Sequence, residues 1–218
     1  TNDLNDYSGN SQTGQPINWP ANLSWTQNGN RTGGGYYFNG TNGYINITNR
    51  NSSMNFANGN FTVSFWAKLG DVTKSKMYIG DLGIDTSIRY GWALIDSAGN
   101  TVCPNDKICL VIGNGTTTSY NYTSASNLLS KDTWAFITAT YVNATRNFTI
   151  YKNAVVRGSV IHDKNLVFNT SVQSIKIGGW YPSFIGFGVN GTLDEVRVYN
   201  RTLSATEISR IYNSWLSN

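Results

Sequence analysis

Turn signals recur so often along this chain that no element can run long. Asn-Gly pairs begin at Asn28, Asn39, Asn42, Asn58, Asn114 and Asn190. Tight hairpin turns favour this pair because both central residues take positive φ. Between the turns lie short alternating runs. Phe61, Val63, Phe65 and Ala67 alternate with Thr62, Ser64, Trp66 and Lys68, and Trp134, Phe136, Thr138 and Thr140 with Ala135, Ile137, Ala139 and Tyr141. Further runs lie at 44–47, 91–96, 109–112, 148–152, 174–178 and 193–199. Period-two alternation is the mark of strands, and many short strands between turns make a sandwich or barrel. One segment departs from this. Ser204-Ala-Thr-Glu207 has capping-box spacing, and Ile208, Ile211, Tyr212 and Trp215 follow at helical intervals, which predicts a short C-terminal helix with one apolar stripe. No linker or repeat divides residues 1–218, so the chain reads as one domain.

Charged residues are only 13% of the chain, about half the usual share for a soluble domain. Solubility rests instead on 29 Asn with many Ser, Thr and Gly, a surface expected of an extracellular protein. The net charge of +4 comes from 8 Lys and 8 Arg scattered along the chain. With no basic and aromatic stripe, phosphate neutralisation has no footprint, which argues against nucleic-acid binding. Cys103 and Cys109 stand close enough to bridge a small loop; the alternative is two buried thiols, and the secreted-type composition favours the bridge. With His162 the only histidine, zinc lacks ligands. No apolar run approaches the ~18 residues of a spanning helix. The polar start reads as a mature or trimmed product.

The stretch from Gly191 through Asp194-Glu-Val-Arg-Val-Tyr-Asn-Arg201 to Leu203-Ser-Ala-Thr-Glu-Ile208 resembles the closing strand and helix of laminin-G-like (concanavalin-A-like) jelly rolls. Tyr37-Phe-Asn-Gly-Thr-Asn-Gly-Tyr-Ile45 is similar to that family's L-x-F-D-G-x-N-D-Y-V, and Phe61-Thr-Val-Ser-Phe-Trp-Ala-Lys68 to its F-T-V-S-x-W-V-K. Trp134 with Thr140-Tyr141, Tyr151-Lys-Asn153 and Ile175-Lys-Ile-Gly-Gly179 follow in the family's order. The resemblance implies an all-β jelly-roll sandwich of two antiparallel sheets with a short C-terminal helix. Two departures stand out. The family's opening strand has no counterpart before Asp6-Tyr-Ser-Gly-Asn10, which would leave an open sheet edge for self-assembly. Two acidic positions are Asn39 and Gly43 here.

Glucanases of this kind carry an E-x-D-x-x-E strand, because glycoside hydrolysis needs paired carboxylates. The only glutamates are Glu195 and Glu207. Glu207 is explained by capping and Glu195 by an ion pair with Arg197, so no enzyme is expected. His162 beside Asp163 reads as a surface-loop residue, and Gly33-Gly-Gly35 as a turn without the Lys-Ser/Thr of a phosphate loop. The resemblance also implies one structural calcium, held by Asp194 with carbonyls near Asn39 or Gly40. Sugar recognition uses aromatic faces with amides and hydroxyls. The candidates are Trp180 and Tyr181, then Tyr90 and Trp92, then Trp19 and Trp25, each with packing as the alternative role. Sequons begin at Asn22, Asn30, Asn39, Asn46, Asn51, Asn60, Asn114, Asn121, Asn143, Asn147, Asn169, Asn190 and Asn200, about twice the number this composition yields by chance. Two readings result. One is an extracellular recognition or adhesion module of a glycosylated surface protein, binding glycan or a surface protein. The other is the structural head of a glycosylated filament or coat.

Overall fold

The structure, a computed structural model, describes residues 4–5, 8–9, 11–18, 20–27, 34–48, 59–73, 76–81, 83–84, 89–96, 103, 107–114, 118–122, 128–163, 166, 174–179 and 187–217. The described residues form two antiparallel sheets. Sheet A runs in the order β1 (Gln15–Ile17), β4 (Tyr44–Ile47), β14 (Ile175–Ile177), β6 (Lys76–Gly80), β8 (Arg89–Asp96), β9 (Ile108–Asn114), β10 (Thr118–Tyr122), with β7 (Gly83–Ile84) also on β8. Sheet B runs β13 (Val155–Ile161), β12 (Asn147–Lys152), β11 (Ala135–Val142), β5 (Phe61–Leu69), β15 (Asn190–Tyr199), β3 (Gly35–Asn39), β2 (Leu23–Thr26). The expected sandwich is present, and the short N-terminal strands β1 and β2 each form an edge of one sheet.

The inner faces meet through aromatic pairs. Phe61 stacks on Trp92 at 4.7 Å and Phe65 on Tyr78 at 5.3 Å, each linking β5 to sheet A. Ile137, Ala139, Tyr141, Phe148 and Ile150 extend the same core across β11 and β12. At one margin of this core, Lys76 Nζ lies 3.1 Å from Asp96 Oδ2 with side-chain exposures of 1% and 10%. Tyr78 Oη donates to the same oxygen. Burial, reinforced by the Asp96 charge, pushes the Tyr78 phenol well above its ordinary value.

In an antiparallel sandwich the outer face of a strand commonly meets solvent. Instead Thr62, Ser64, Trp66, Phe136, Thr138 and Thr140 are buried as well. The cause is the C-terminal segment. Thr62 Oγ1 donates to Arg201 O and accepts from Leu203 N. Helix α1 (Ala205–Leu216) then lays Ile208, Ile211, Tyr212 and Trp215 over Trp66 and Phe136. The capping box is formed as expected: Ser204 Oγ accepts from Glu207 N, and Glu207 Oε2 accepts from Ser204 N at 2.8 Å. Arg197 joins sheet to helix. Its Nη2 is 2.9 Å from Glu195 Oε2, and its guanidinium lies 5.2 Å from the Trp215 ring. A bulge between Asp194 and Arg197, with Glu195 at φ 50°, sets this geometry.

Two glycines from motifs read as turns, Gly191 and Gly35, stand in strands, and Gly33 lies outside the described residues. Asn190-Gly191 opens β15, and a Cβ on Gly191 would strike Lys68 O of the neighbouring strand. Gly35 opens β3, with Thr192 and Leu193 O too close for a side chain. His162 is another correction. It is fully buried, its backbone N–H donates to Arg146 O, and Nδ1 lies 3.3 Å from Asp163 Oδ1.

Candidate functional site

At the end of the sandwich where β3 stops, four asparagines from two chain segments hold one another. Asn18 takes the left-handed conformation at φ 60°, which asparagine tolerates better than most residues. Its carbonyl closes a turn by accepting from Asn22 N at 3.0 Å. Asn39 Nδ2 donates to Asn22 Oδ1 at 2.7 Å and to Ala21 O at 3.3 Å. Asn22 Nδ2 donates in turn to Asn42 Oδ1 at 2.8 Å, and Asn18 Nδ2 to Asn42 O at 2.7 Å. Thr41 closes the 39–42 turn by donating both its N–H and its hydroxyl to Asn39 Oδ1. The two segments can approach this closely because Gly43 has no Cβ to strike Asn22 O.

This ring of amides leaves polar groups for a ligand. Among the described residues, Asn42 Nδ2 and Asn18 Oδ1 take no partner, and Asn18 and Thr41 are exposed. One donor, one acceptor and a hydroxyl are thus held by a scaffold whose other amide groups are engaged, the set that orients a polyhydroxyl ligand.

The rim also contacts residues 178–179 and 188–189, which flank the segment of the foremost aromatic candidates. Gly178 N donates to Tyr78 O, Val189 N to Gly178 O, and Gly40 N to Val189 O. Gly178 is at φ 83° with its α-carbon against the Phe38 ring, so no other residue fits there. Gly179 lies on Gly43 and Tyr44, and Gly188 on Thr41 O. Segment 180–186 therefore leaves and rejoins the described structure beside the amide ring. Trp180 and Tyr181 themselves lie outside the described residues, as does Trp19. Burial raises the Tyr44 phenol and, against the opposing pull of Asp81, lowers Lys176 on β14 to about 8.

The other candidates disperse. Trp92 is fully buried against Phe61, because its position on β8 faces the core, so it presents no surface to a ligand. Tyr90 is the second residue of the same strand, opposite Asn114, and only its backbone is described. Trp25 packs edge-on to Tyr36 on β2 and β3. Cys103 and Cys109 are bridged, with Cα atoms 6.0 Å apart, and the bridge packs with Met77, Ala93, Ile95 and Val111. The implied calcium set is not assembled. Asn39 pairs with Asn190 on β15, while Asp194 lies four residues further along and accepts from Glu195 N, roughly 13 Å away at strand rise. The side-chain oxygens of Asn22, Asn39 and Asn42 are already taken by N–H donors. The described residues hold no group of three His, Cys, Asp or Glu that could ligate a metal. Nor is any described helix long and apolar enough to cross a membrane. The amide ring itself went unforeseen; Asn22 drew notice only as a sequon and Asn39 as a turn, a sequon and a calcium carbonyl, and the density of asparagine around 18–42 was its one signal.

A profile described as the concanavalin A-like lectin/glucanases superfamily, of laminin-G type, matches residues 39–209. Paraclostridial mosquitocidal protein 1 of Paraclostridium bifermentans is 26% identical over 182 residues, 79% of this chain. The chain spans only 14% of that protein's length. The binding domain of the same protein superposes with TM-score 0.70 at 18% identity, covering 99% of this chain and 50% of that one. Domain 4 of AbnA, an extracellular arabinanase from Geobacillus stearothermophilus solved with arabinotriose, gives TM-score 0.70 at 18% identity, with 97% and 93% covered. The CBM40 domain of the Ruminococcus gnavus IT-sialidase, solved with alpha2,3 sialyllactose, gives 0.62 at 10% identity, with 82% and 96% covered.

Proposed function

From the chain's membership of the concanavalin A-like lectin/glucanases superfamily, we propose that it is a non-catalytic, extracellular carbohydrate-recognition module that binds at the amide rim. The observation that carries this reading is the ring of Asn18, Asn22, Asn39 and Asn42 beside residues 178–179 and 188–189, which flank segment 180–186. Amides supply directional bonds to sugar hydroxyls, and Trp180 and Tyr181 would add ring faces for stacking. The solved relatives bound to arabinotriose and to sialyllactose support a glycan as the ligand class. Both glutamates have structural partners, Arg197 for Glu195 and Ser204 with Arg201 for Glu207, which leaves neither placed for hydrolysis.

The test is a glycan array, run with calcium and then with chelator, followed by calorimetry on any hit with Asn42→Ala and Trp180→Ala. Saturable binding weakened by both substitutions is expected. Binding untouched by either would move the site elsewhere, and no binding in either condition would end the lectin reading.

A second reading, the head of a surface filament or coat, is favoured by β13. This edge strand exposes Val155, Val156 and Ile161 at 61%, 54% and 66%. Two copies meeting antiparallel about Gly158 would set Val155 against Ile161, Val156 against Val160 and Arg157 against Ser159, with no like charges opposed. Sedimentation of the chain and of Val156→Lys decides it: concentration-dependent association that the lysine abolishes supports this reading, and a monomer throughout removes it.

A further inference from the structure

The thirteen sequons are not absorbed by the rim, and the fold sorts them. Attachment joins the anomeric carbon of a phosphate-activated glycosyl donor to Nδ2. The C–O bond to phosphate breaks, phosphate leaves with the electron pair, and Nδ2 loses one proton. An asparagine can therefore carry a glycan in the folded chain only if Nδ2 faces water and its hydrogens are not both used inside.

Asn39 fails this condition, since Nδ2 donates to two oxygens of the 21–22 turn. Asn22 keeps one Nδ2 hydrogen free of a described partner, but attachment there would disturb the ring, since its amide both accepts from Asn39 and donates to Asn42. Its Nδ2 lies 2.8 Å from Asn42 Oδ1, and both residues are half-buried. Asn143 is packed under Gly59 with its Oδ1 buried, and Asn60 Oδ1 caps Asn143 N. Asn190 is wedged against Gly40. Among sequon asparagines whose side chains are described, Asn200 alone is exposed, and no hydrogen bond to a described residue holds its amide. It stands just past β15, in the turn before α1, while Asn39 pairs with the first residue of that strand. Ten strand residues separate them, roughly 30 Å.

We infer that Asn200 is an N-glycosylation site and that the rim asparagines Asn22 and Asn39 stay unmodified although both lie in sequons. Of the sequons whose side chains are described, the exposed one then stands at the end opposite the amide rim; Asn30, Asn51 and Asn169 lie outside the described residues, as do the side chains of Asn114 and Asn121. This assignment stands whether or not the rim binds glycan.

The chain is secreted from cells that attach N-glycans, with a reference glycoprotein confirming that they do so. Enzymatic release in isotope-labelled water followed by peptide mass spectrometry then marks each occupied asparagine. The expected result is a labelled Asn200 peptide, unlabelled Asn22 and Asn39 peptides, and loss of one glycan mass in Asn200→Gln. An unlabelled Asn200, or label on Asn22 or Asn39, overturns the assignment. Glycan-array binding by Asn200→Gln is read separately, so the rim reading and this one fail independently.

Discussion

Replacing Asn39 with aspartate changes one atom and removes one capability. The Oδ1 that accepts from the Thr41 N–H and hydroxyl is kept, but the group facing Asn22 Oδ1 at 2.7 Å can no longer donate. Loss of that bond costs about 1 kcal/mol, and leaving two acceptors opposed in a half-buried turn adds up to about 2 more. The total, about 1–3 kcal/mol, lowers the melting temperature by about 2–12 °C at the 2–4 °C per kcal/mol typical of a chain this size. The penalty belongs to the charged form, so the new carboxyl titrates above its ordinary value of about 3.9. The deficit relative to the parent is thus absent at pH below that value, where the acid can donate again, and grows as pH rises through the folded pKa. Calorimetry of parent and variant at pH 3 and pH 7 measures it. Equal melting at both values, or an equal deficit at both, would refute the ring as drawn.

Asp96→Ala removes the carboxylate 3.1 Å from Lys76, whose side chain is 1% exposed, and costs about 3–5 kcal/mol; a change under about 1 kcal/mol in urea denaturation would mean that the pair contributes little. Glu207 is held down at about 2, first by its bond from Arg201 and then by the Ser204 backbone and hydroxyl. Its folded value lies below the ordinary 4.5, so its contribution is complete above that pH and fades as pH falls toward 2. The gap in urea midpoint between the parent and Glu207→Gln should therefore close on acidification, and a gap constant with pH contradicts the assignment.

Which features were legible depends on how far their causes lie along the chain. The capping box at Ser204 and Glu207, and the Glu195–Arg197 pair, are settled within three residues and could be read directly. The burial of Thr62, Ser64 and Thr138 could not, because the segment covering them arrives about 140 residues after Thr62. Trp92, named as a candidate with packing as its alternative role, is a core residue. Its neighbours Ala93, Leu94 and Ile95 are all buried, so alternation along β8 does not say which face is the core. Strand β6 escaped notice because it opens with Lys76, a residue that reads as solvent-facing until Asp96, twenty residues on, is placed beside it. The amide ring is the hardest case. Asn22 and Asn42 look like turn residues until the register of β2 on β3 brings the two turns together.

That ring also gives a physical meaning to the missing acids. The resembling motif carries aspartate where this chain has Asn39 and Gly43, and each change removes what the ring could not tolerate. A carboxylate at 39 would take away the Nδ2 donor that joins the two turns. Any side chain at 43 would strike Asn22 O and hold the turns apart. An acidic rim presents oxygens alone and is built for a cation; an amide rim presents donors and acceptors together and is matched to hydroxyls. The aromatic pairs Phe61–Trp92 and Phe65–Tyr78, which join the sheets, involve none of these residues. The rim can therefore change its chemistry while the sandwich beneath it stays the same.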